Sequence, residues 1–286
     1  MFVIIGYIFM CVCILGAYVW HGGHLAVFWQ PSEIIIIFGG AIGGMIAGSS
    51  AKGLKLFTKA LPTIFKGSPF NKAFYMDLFA CLFELLAKVR KEGLMSIEGD
   101  VEDPHASPIF SKYPKIAHDH HVTDFICDYL RLMVGGNLNA FEIENLMDIE
   151  IEAHHNEAHV AAGMMAKLGD GLPAFGIVAA VMGVVHVMGS LHLPPSELGK
   201  LIGAALVGTF MGIWLAYGFV GPLANVLETK MAEGHQVFLT IKVTLIASLN
   251  GYAPQVAVEF GRKALDSTER PSFKELEEFV KNAKSK

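Results

Sequence analysis

The sequence predicts an all-α membrane protein: four transmembrane helices, a large helical cytoplasmic insertion between spans two and three, and a helical cytoplasmic C-terminal tail. Two observations carry this. Four long stretches contain no Lys, Arg, Asp or Glu, and 21 of the 22 Lys and Arg residues fall in two blocks, Lys52–Lys167 and Lys230–Lys286. About 20 apolar residues cover a hydrocarbon core roughly 30 Å thick, and cationic loops stay on the cytoplasmic side. Composition agrees, because 53% hydrophobic residues and a mean hydropathy of +0.46 are too apolar for a soluble chain of 286 residues. The 17% of charged residues is too polar for a chain wholly in lipid.

Span one runs from about Phe2 to Trp20, with Tyr18 and Trp20 as interface aromatics. No basic region precedes it, so an anchor is expected rather than a cleaved leader. The connector His21–Glu33 has no Lys or Arg and should face outward. Span two is Ile34–Ala51, whose 18 residues reach about 27 Å. Lys52, Lys55, Lys59, Lys66 and Lys72 follow at once and mark the inside. The expected division is therefore residues 1–51 for the first two spans, 52–169 for the insertion, 170–225 for spans three and four, and 226–286 for the tail.

Within the insertion, Leu78, Leu82, Leu85, Leu86 and Val89 recur at helical spacing until Gly93 interrupts. Glu102–Pro114, with three prolines, reads as a turn-rich corner. Phe125, Leu130, Leu132 and Met133 form a second periodic stretch that ends at Gly135-Gly136, and Asn139 can cap a third, acidic helix from Phe141 into Glu157. Span three lies between Asp170 and Glu197, ending near Leu193 before Pro194-Pro195; span four runs from Leu201 to about Asn225. An even number of crossings puts both termini inside. Lys242, Asn250 and Pro254 argue against a fifth crossing over Val237–Val258, and Ser272 with Glu275 forms a capping box for a terminal helix.

Small residues repeat at i, i+4 on three spans: Gly40, Gly44 and Gly48; Gly176, Ala180 and Gly183; Ala204, Gly208, Gly212 and Ala216. Such faces let helix backbones approach closely in lipid, within one chain or between subunits. Three such faces exceed the needs of one chain, so self-association is favoured. All 27 Asp and Glu lie outside the four spans, which leaves no carboxylate at bilayer depth. Ion carriers place acids there, so an ion crossing here would need a carboxylate from a partner. His186 is the ionisable group within a span and is also readable as a neutral, hydrogen-bonded residue.

Pro173 follows Asp170-Gly171 and is unstrained in a first helical turn, where an acid suits the helix dipole. Pro222 falls late in span four and should kink it. Thr209 either lines a pore or bonds back to its own helix. Arg90 and Glu98 flank Gly93 and, taken alone, are ordinary solvated charges. The four cysteines form no CxxC pair, and Cys81 and Cys127 in the insertion read, like Cys11 and Cys13, as small apolar fillers. His118, His120, His121 and Asp124 cluster, as do His154, His155 and His159, but His155-Asn-Glu-Ala-His159 places its glutamate one position late for HExxH. No metal site, cofactor, enzyme motif or nucleic-acid groove is predicted; the net charge is −5.

The segments Leu172–His186, Val207–Ile213, Leu215–Phe219 and Asn250–Lys263 resemble the A-subunit family of flagellar motor stators, MotA, within the wider MotA/TolQ/ExbB proton channels. So do Ala60–Pro62, Tyr75–Leu78 and Arg90–Glu98; the histidine clusters lie outside the resemblance. The resemblance implies an inner-membrane protein whose A subunits ring a MotB-type dimer, with a transmembrane Asp of the B subunit carrying the ion. It implies that Arg90 and Glu98 engage charges on the rotor protein FliG, that Pro173 and Pro222 couple ion passage to conformational change, and that Asp170 and Thr209 face the ion path. Sodium-driven relatives carry a threonine where this chain has Ala180, so proton use is implied. An energiser of the ExbB/TolQ kind is the alternative, although that kind has three spans.

Overall fold

The computed structural model describes residues 2–136 and 138–283, and all regular structure among them is helical. In chain order the α-helices are α1 (Phe2–Trp20), α2 (Pro31–Ala47), α3 (Ala51–Ala60), α4 (Lys72–Glu92), α5 (Glu98–Glu102), α6 (Pro114–Ala117), α7 (His120–Gly135), α8 (Ala140–Gly189), α9 (Pro195–Ile213), α10 (Gly221–Leu249), α11 (Pro254–Ala264) and α12 (Phe273–Ala283). A seven-residue π-helix, Trp214–Val220, joins α9 to α10. Two compact units result: Met1–Gly67 with Glu157–Thr229, and Ser68–Asn156 with Lys230–Lys286. Helices α8 and α10 contribute to both.

In the first unit, α1 is apolar on every side and leaves Ile4, Ile8, Phe9 and Val12 exposed. A helix of that composition needs an apolar environment on its free faces. Among the described residues, three helical stretches are long and apolar enough to cross a membrane: α1, α8, and α9 continued into α10. Helix α2 is also apolar but has 17 residues, about 26 Å. It starts at Pro31 and ends at Ala47, so the helix begins and ends N-terminal to the Ile34–Ala51 bounds read from sequence. The end is set locally, because Ser50 caps α3 by accepting from the Gly53 amide at 3.1 Å and the chain must break before it.

Helix α8 corrects the expectation of two separate helices. The acidic helix does not stop at Glu157; it continues through Asp170, Gly171 and Pro173 to Gly189 as one 50-residue helix. Asn139 and Glu142 cap its start reciprocally, with Glu142 N–H to Asn139 Oδ1 at 3.0 Å and Asn139 N–H to Glu142 Oε2 at 2.9 Å. Pro173 is therefore interior, and Asp170 meets no helix N-terminus. The proline lacks the donor that would reach the Gly169 carbonyl, and the helix runs on past this one missing bond.

The second unit is built around Tyr75, Leu78, Phe79, Leu82 and Leu85 on α4, which are at most 2% exposed. They pack with Phe110, Phe125, Ile126 and Leu130, and with Ile241 and Leu245 of α10. Gly93, at φ 88°, ends α4 in a conformation that only glycine adopts without strain, and Gly136, at φ 65°, does the same for α7. Leu132 departs from expectation: it shares the periodic stretch but is exposed, because the core face of α7 is carried by Phe125, Ile126, Leu130 and Met133. The terminal capping box forms as written, with Ser272 N–H to Glu275 Oε2 at 2.7 Å.

The residues that argued against a fifth crossing have structural tasks. Asn250 follows the last residue of α10, Pro254 opens α11, and Lys242 is buried with Nζ 2.7 Å from both Asp148 carboxylate oxygens and 3.4 Å from Glu144. Removing one partner of such a pair leaves a buried ammonium. Asp148→Ala is expected to cost about 1–3 kcal/mol, whereas Lys242→Met, which removes the charge and keeps the length, should cost much less. Melting temperatures of the detergent-solubilised variants check the order; equal losses would refute it.

Candidate functional site

The small-residue stripes of α8 and α9 meet each other. A Cβ on Gly176 would lie 2.9 Å from the Gly208 carbonyl oxygen and 3.1 Å from Gly212 Cα. One on Gly212 would lie 2.6 Å from the Leu172 carbonyl oxygen, and one on Gly183 2.6 Å from Ala205 Cβ. The two backbones are in contact, so glycine is required along this seam by its neighbours. Gly40 of α2 accommodates the Phe175 ring in the same way. The packing is within the chain, which removes these stripes as an argument for self-association. By contrast, Gly39 and Gly43 on α2 have open space beside them.

Several candidates cluster around the seam. Ala180 is half-buried, with its backbone nitrogen 3.3 Å from the position a Gly208 Cβ would take. Thr209 is half-buried beside it, and its hydroxyl makes no hydrogen bond among the described residues, so the back-bonding expected of a helical threonine is not formed. Asp170 is exposed on α8, three residues before the half-buried Pro173. His186 is exposed near the end of α8 rather than buried and satisfied.

Pro222 occupies the second residue of α10, directly after the π-helix. A proline ring clashes with the carbonyl four residues earlier and supplies no N–H; widening the preceding turns is one way a continuous helix accommodates it. Seven residues of π-helix precede this proline. Tyr7 of α1 donates its hydroxyl to the Phe219 carbonyl of that segment at 2.6 Å. Sequence alone did not locate the π-helix, although Gly218, Gly221 and Pro222 together are its signal.

One acid is buried where nothing in the sequence pointed to it. Glu33 is in the first turn of α2 and only 8% exposed, and its Oε2 lies 2.9 Å from the position a Gly208 Cβ would take, with Ala179 Cβ 3.1 Å from the same point. Gly208 is seven residues, about 10 Å, beyond Leu201, the outer bound expected for span four. A carboxyl group thus reaches the apolar seam from the first turn of α2. Sequence reading missed it because depth was assigned from backbone position, and a Glu side chain packed across a glycine reaches past it.

In the second unit, Arg90 and Glu98 are exposed on either side of Gly93. Arg90 donates to the Gly251 carbonyl at 3.0 Å, while Glu98 opens α5 with no ion pair among the described residues. The histidines approach in pairs: His121 and His154 rings are 5.7 Å apart, and His155 and His235 rings 4.8 Å. Burial, and then the charge of His155, hold the His235 imidazole below its usual range. Among the described residues no three His, Cys, Asp or Glu side chains converge as a metal set.

Comparison with known proteins follows from this geometry. Residues 4–93 match the family model described as Motility protein A N-terminal, and residues 118–238 match that of the MotA/TolQ/ExbB proton channel family. Motility protein A of Salmonella typhimurium is 53% identical over 281 residues, covering 98% of this chain and 95% of that protein. The chain belongs to the motility protein A family. Motility protein A of Escherichia coli is likewise 53% identical, over 285 residues that cover 100% of this chain and 97% of that one. The fold of the family is shared with solved stator complexes: C. jejuni MotAB superposes with a TM-score of 0.78 at 21% identity, covering 94% of this chain and 98% of that one. The flagellar MotAB stator complex from Bacillus subtilis gives 0.71 at 24%, covering 90% and 92%. Apart from Ala205, the residues of the α8–α9 seam lie within the Leu172–His186 and Val207–Ile213 segments that carry the resemblance in sequence.

Proposed function

We propose that this chain is a stator subunit of the bacterial flagellar motor, which converts proton flow into torque together with a MotB-type partner. The observation that carries the reading is identity of 53% along essentially the whole chain to motility protein A, including the N-terminal region matched by its own family model. That region also favours it over an ExbB/TolQ-type energiser.

In this reading α1, α2, the later part of α8, and α9 with the π-helix are the four crossings of the inner membrane. The insertion and tail are cytoplasmic, as are both termini. A ring of A subunits surrounds the partner, whose Asp carries the ion past Thr209, Ala180 and Asp170. Each unit charge crossing 100 mV releases about 2.3 kcal/mol, comparable to the gap between two packings of a helix pair. Pro173 and the π-helix before Pro222 are the interruptions at which α8 and α9–α10 exchange packings as the partner's charge is gained and lost. Arg90 and Glu98 then pass the step to the rotor protein FliG through exposed charges, a contact suited to rapid release.

Ala180 offers no side-chain oxygen to a dehydrated sodium ion, so protons are the ion. Deleting the gene should leave cells flagellated but paralysed. In sodium-free medium complemented cells should swim and stop on addition of a protonophore; swimming indifferent to the protonophore would overturn proton use.

A further inference from the structure

Of the four buried charged residues among the described ones, three are paired; a carboxylate oxygen of the half-buried Glu233 is also without a partner. Asp100 accepts from Lys88 at 2.7 Å and from Ser107 at 2.6 Å; Lys242 is held by Asp148; Arg262 donates to both Glu259 oxygens and to the Pro271 carbonyl. Glu33 is the exception. Its Oε2 is buried without a hydrogen-bond partner, and no ion pair or capping bond to Glu33 exists among the described residues. The oxygen borders the Gly208 gap, whose other nearest atoms are Ala179 Cβ and the backbone nitrogen of Ala180, a helical amide already engaged. Neither lining group donates to the carboxylate, and its Oε2 has no hydrogen-bond partner among the described residues. An ionised carboxylate stripped of water and counter-charge is strongly disfavoured, whereas a neutral acid fits among methyl groups and glycine.

From this geometry we propose that Glu33 is a second proton-exchanging group of the stator, seated as the neutral acid against the Gly208 gap of α9. The proposal rests on the stator reading above and adds a residue of this chain to the proton path. Glu33 lies next to the level of Ala180 and Thr209, on the side of α2 that follows the outward connector. The step balances simply. The Glu33 O–H bond breaks and the proton forms an O–H bond on an ionised carboxylate of the partner subunit; the Glu33 carboxylate takes a proton from hydronium on the outer side, leaving water, and the partner carboxyl releases its proton to water on the inner side. One proton moves inward per cycle and no charge remains in the seam. The closeness of Gly208 is part of the device, because any side chain there would occupy the space of the Glu33 carboxyl.

The test uses the purified complex of this chain with its partner, reconstituted in vesicles. Infrared spectra at neutral pH should show the carbonyl stretch of a protonated carboxylic acid that shifts in D2O and is absent from Glu33→Gln. Proton flux per complex should fall about tenfold or more in Glu33→Gln and recover in part in Glu33→Asp, as expected when a positioned proton-transfer group is lost and then replaced. Absence of the acid band in the native complex, or undiminished flux in Glu33→Gln, would overturn the proposal. So would a Glu33→Gln complex that fails to assemble, because that result makes Glu33 a packing residue. A native complex that passes no protons sinks the stator reading instead; the infrared band reports the neutral acid independently of flux.

Discussion

Gly212→Val is expected to abolish motility and to lower the melting temperature of the complex more than any single surface change. The added Cβ would stand 2.6 Å from the Leu172 carbonyl oxygen and 3.0 Å from Gly176 Cα. Both obstacles are backbone, so no side chain can swing away, and α8 and α9 must separate along the seam. Overpacking a filled interior costs about 1–3 kcal/mol, and the separation also forfeits the close contacts that hold helices together in lipid. Gly43→Ala is the matched control. Nothing lies within 4 Å of a Cβ there, so near-native melting and motility are expected. A Gly212→Val protein that melts and swims like the native one would remove the seam from the argument.

The second large effect is functional and leaves the fold intact. Arg90→Glu combined with Glu98→Lys should give motors that assemble, melt normally and produce almost no torque. Both side chains are exposed, so their folded-state interactions are small: exposed charges contribute about 0–1 kcal/mol. The Arg90 bond to the Gly251 carbonyl is the contact within the chain that the change removes. The rotor, by contrast, would meet inverted charge at two points held in fixed register by the Gly93 turn and by Ile97, which is 0% exposed beneath it. Bead-tethered motors with a fluorescent count of assembled stators would measure this, and unaltered torque in the double variant would remove both residues from the rotor contact.

Much of the helical plan was legible in the residues. Asn139, Gly93, Gly136 and the Ser272–Glu275 box start or stop helices through bonds and dihedrals spanning a few positions, and each does so in the structure. The two errors of continuity have a common origin. Asp170, Gly171 and Pro173 look like a helix start, but the flanking turns on both sides favour helix strongly enough to run through one missing hydrogen bond. The end of α2 was misplaced because Ala51 reads as apolar, while the Ser50 cap assigns it to α3.

The charge partition, the apolar stretches and the capping residues by themselves determined that this protein is helical, membrane-directed and arranged in this order. Those properties depend on hydration and on hydrogen bonds between near neighbours in sequence. Only the tertiary structure decided which glycines face one another, that Gly212 abuts Leu172, and that Glu33 buries its carboxyl against Gly208. These contacts join residues tens to nearly two hundred positions apart, and close packing of backbones and side chains, not local propensity, selects them.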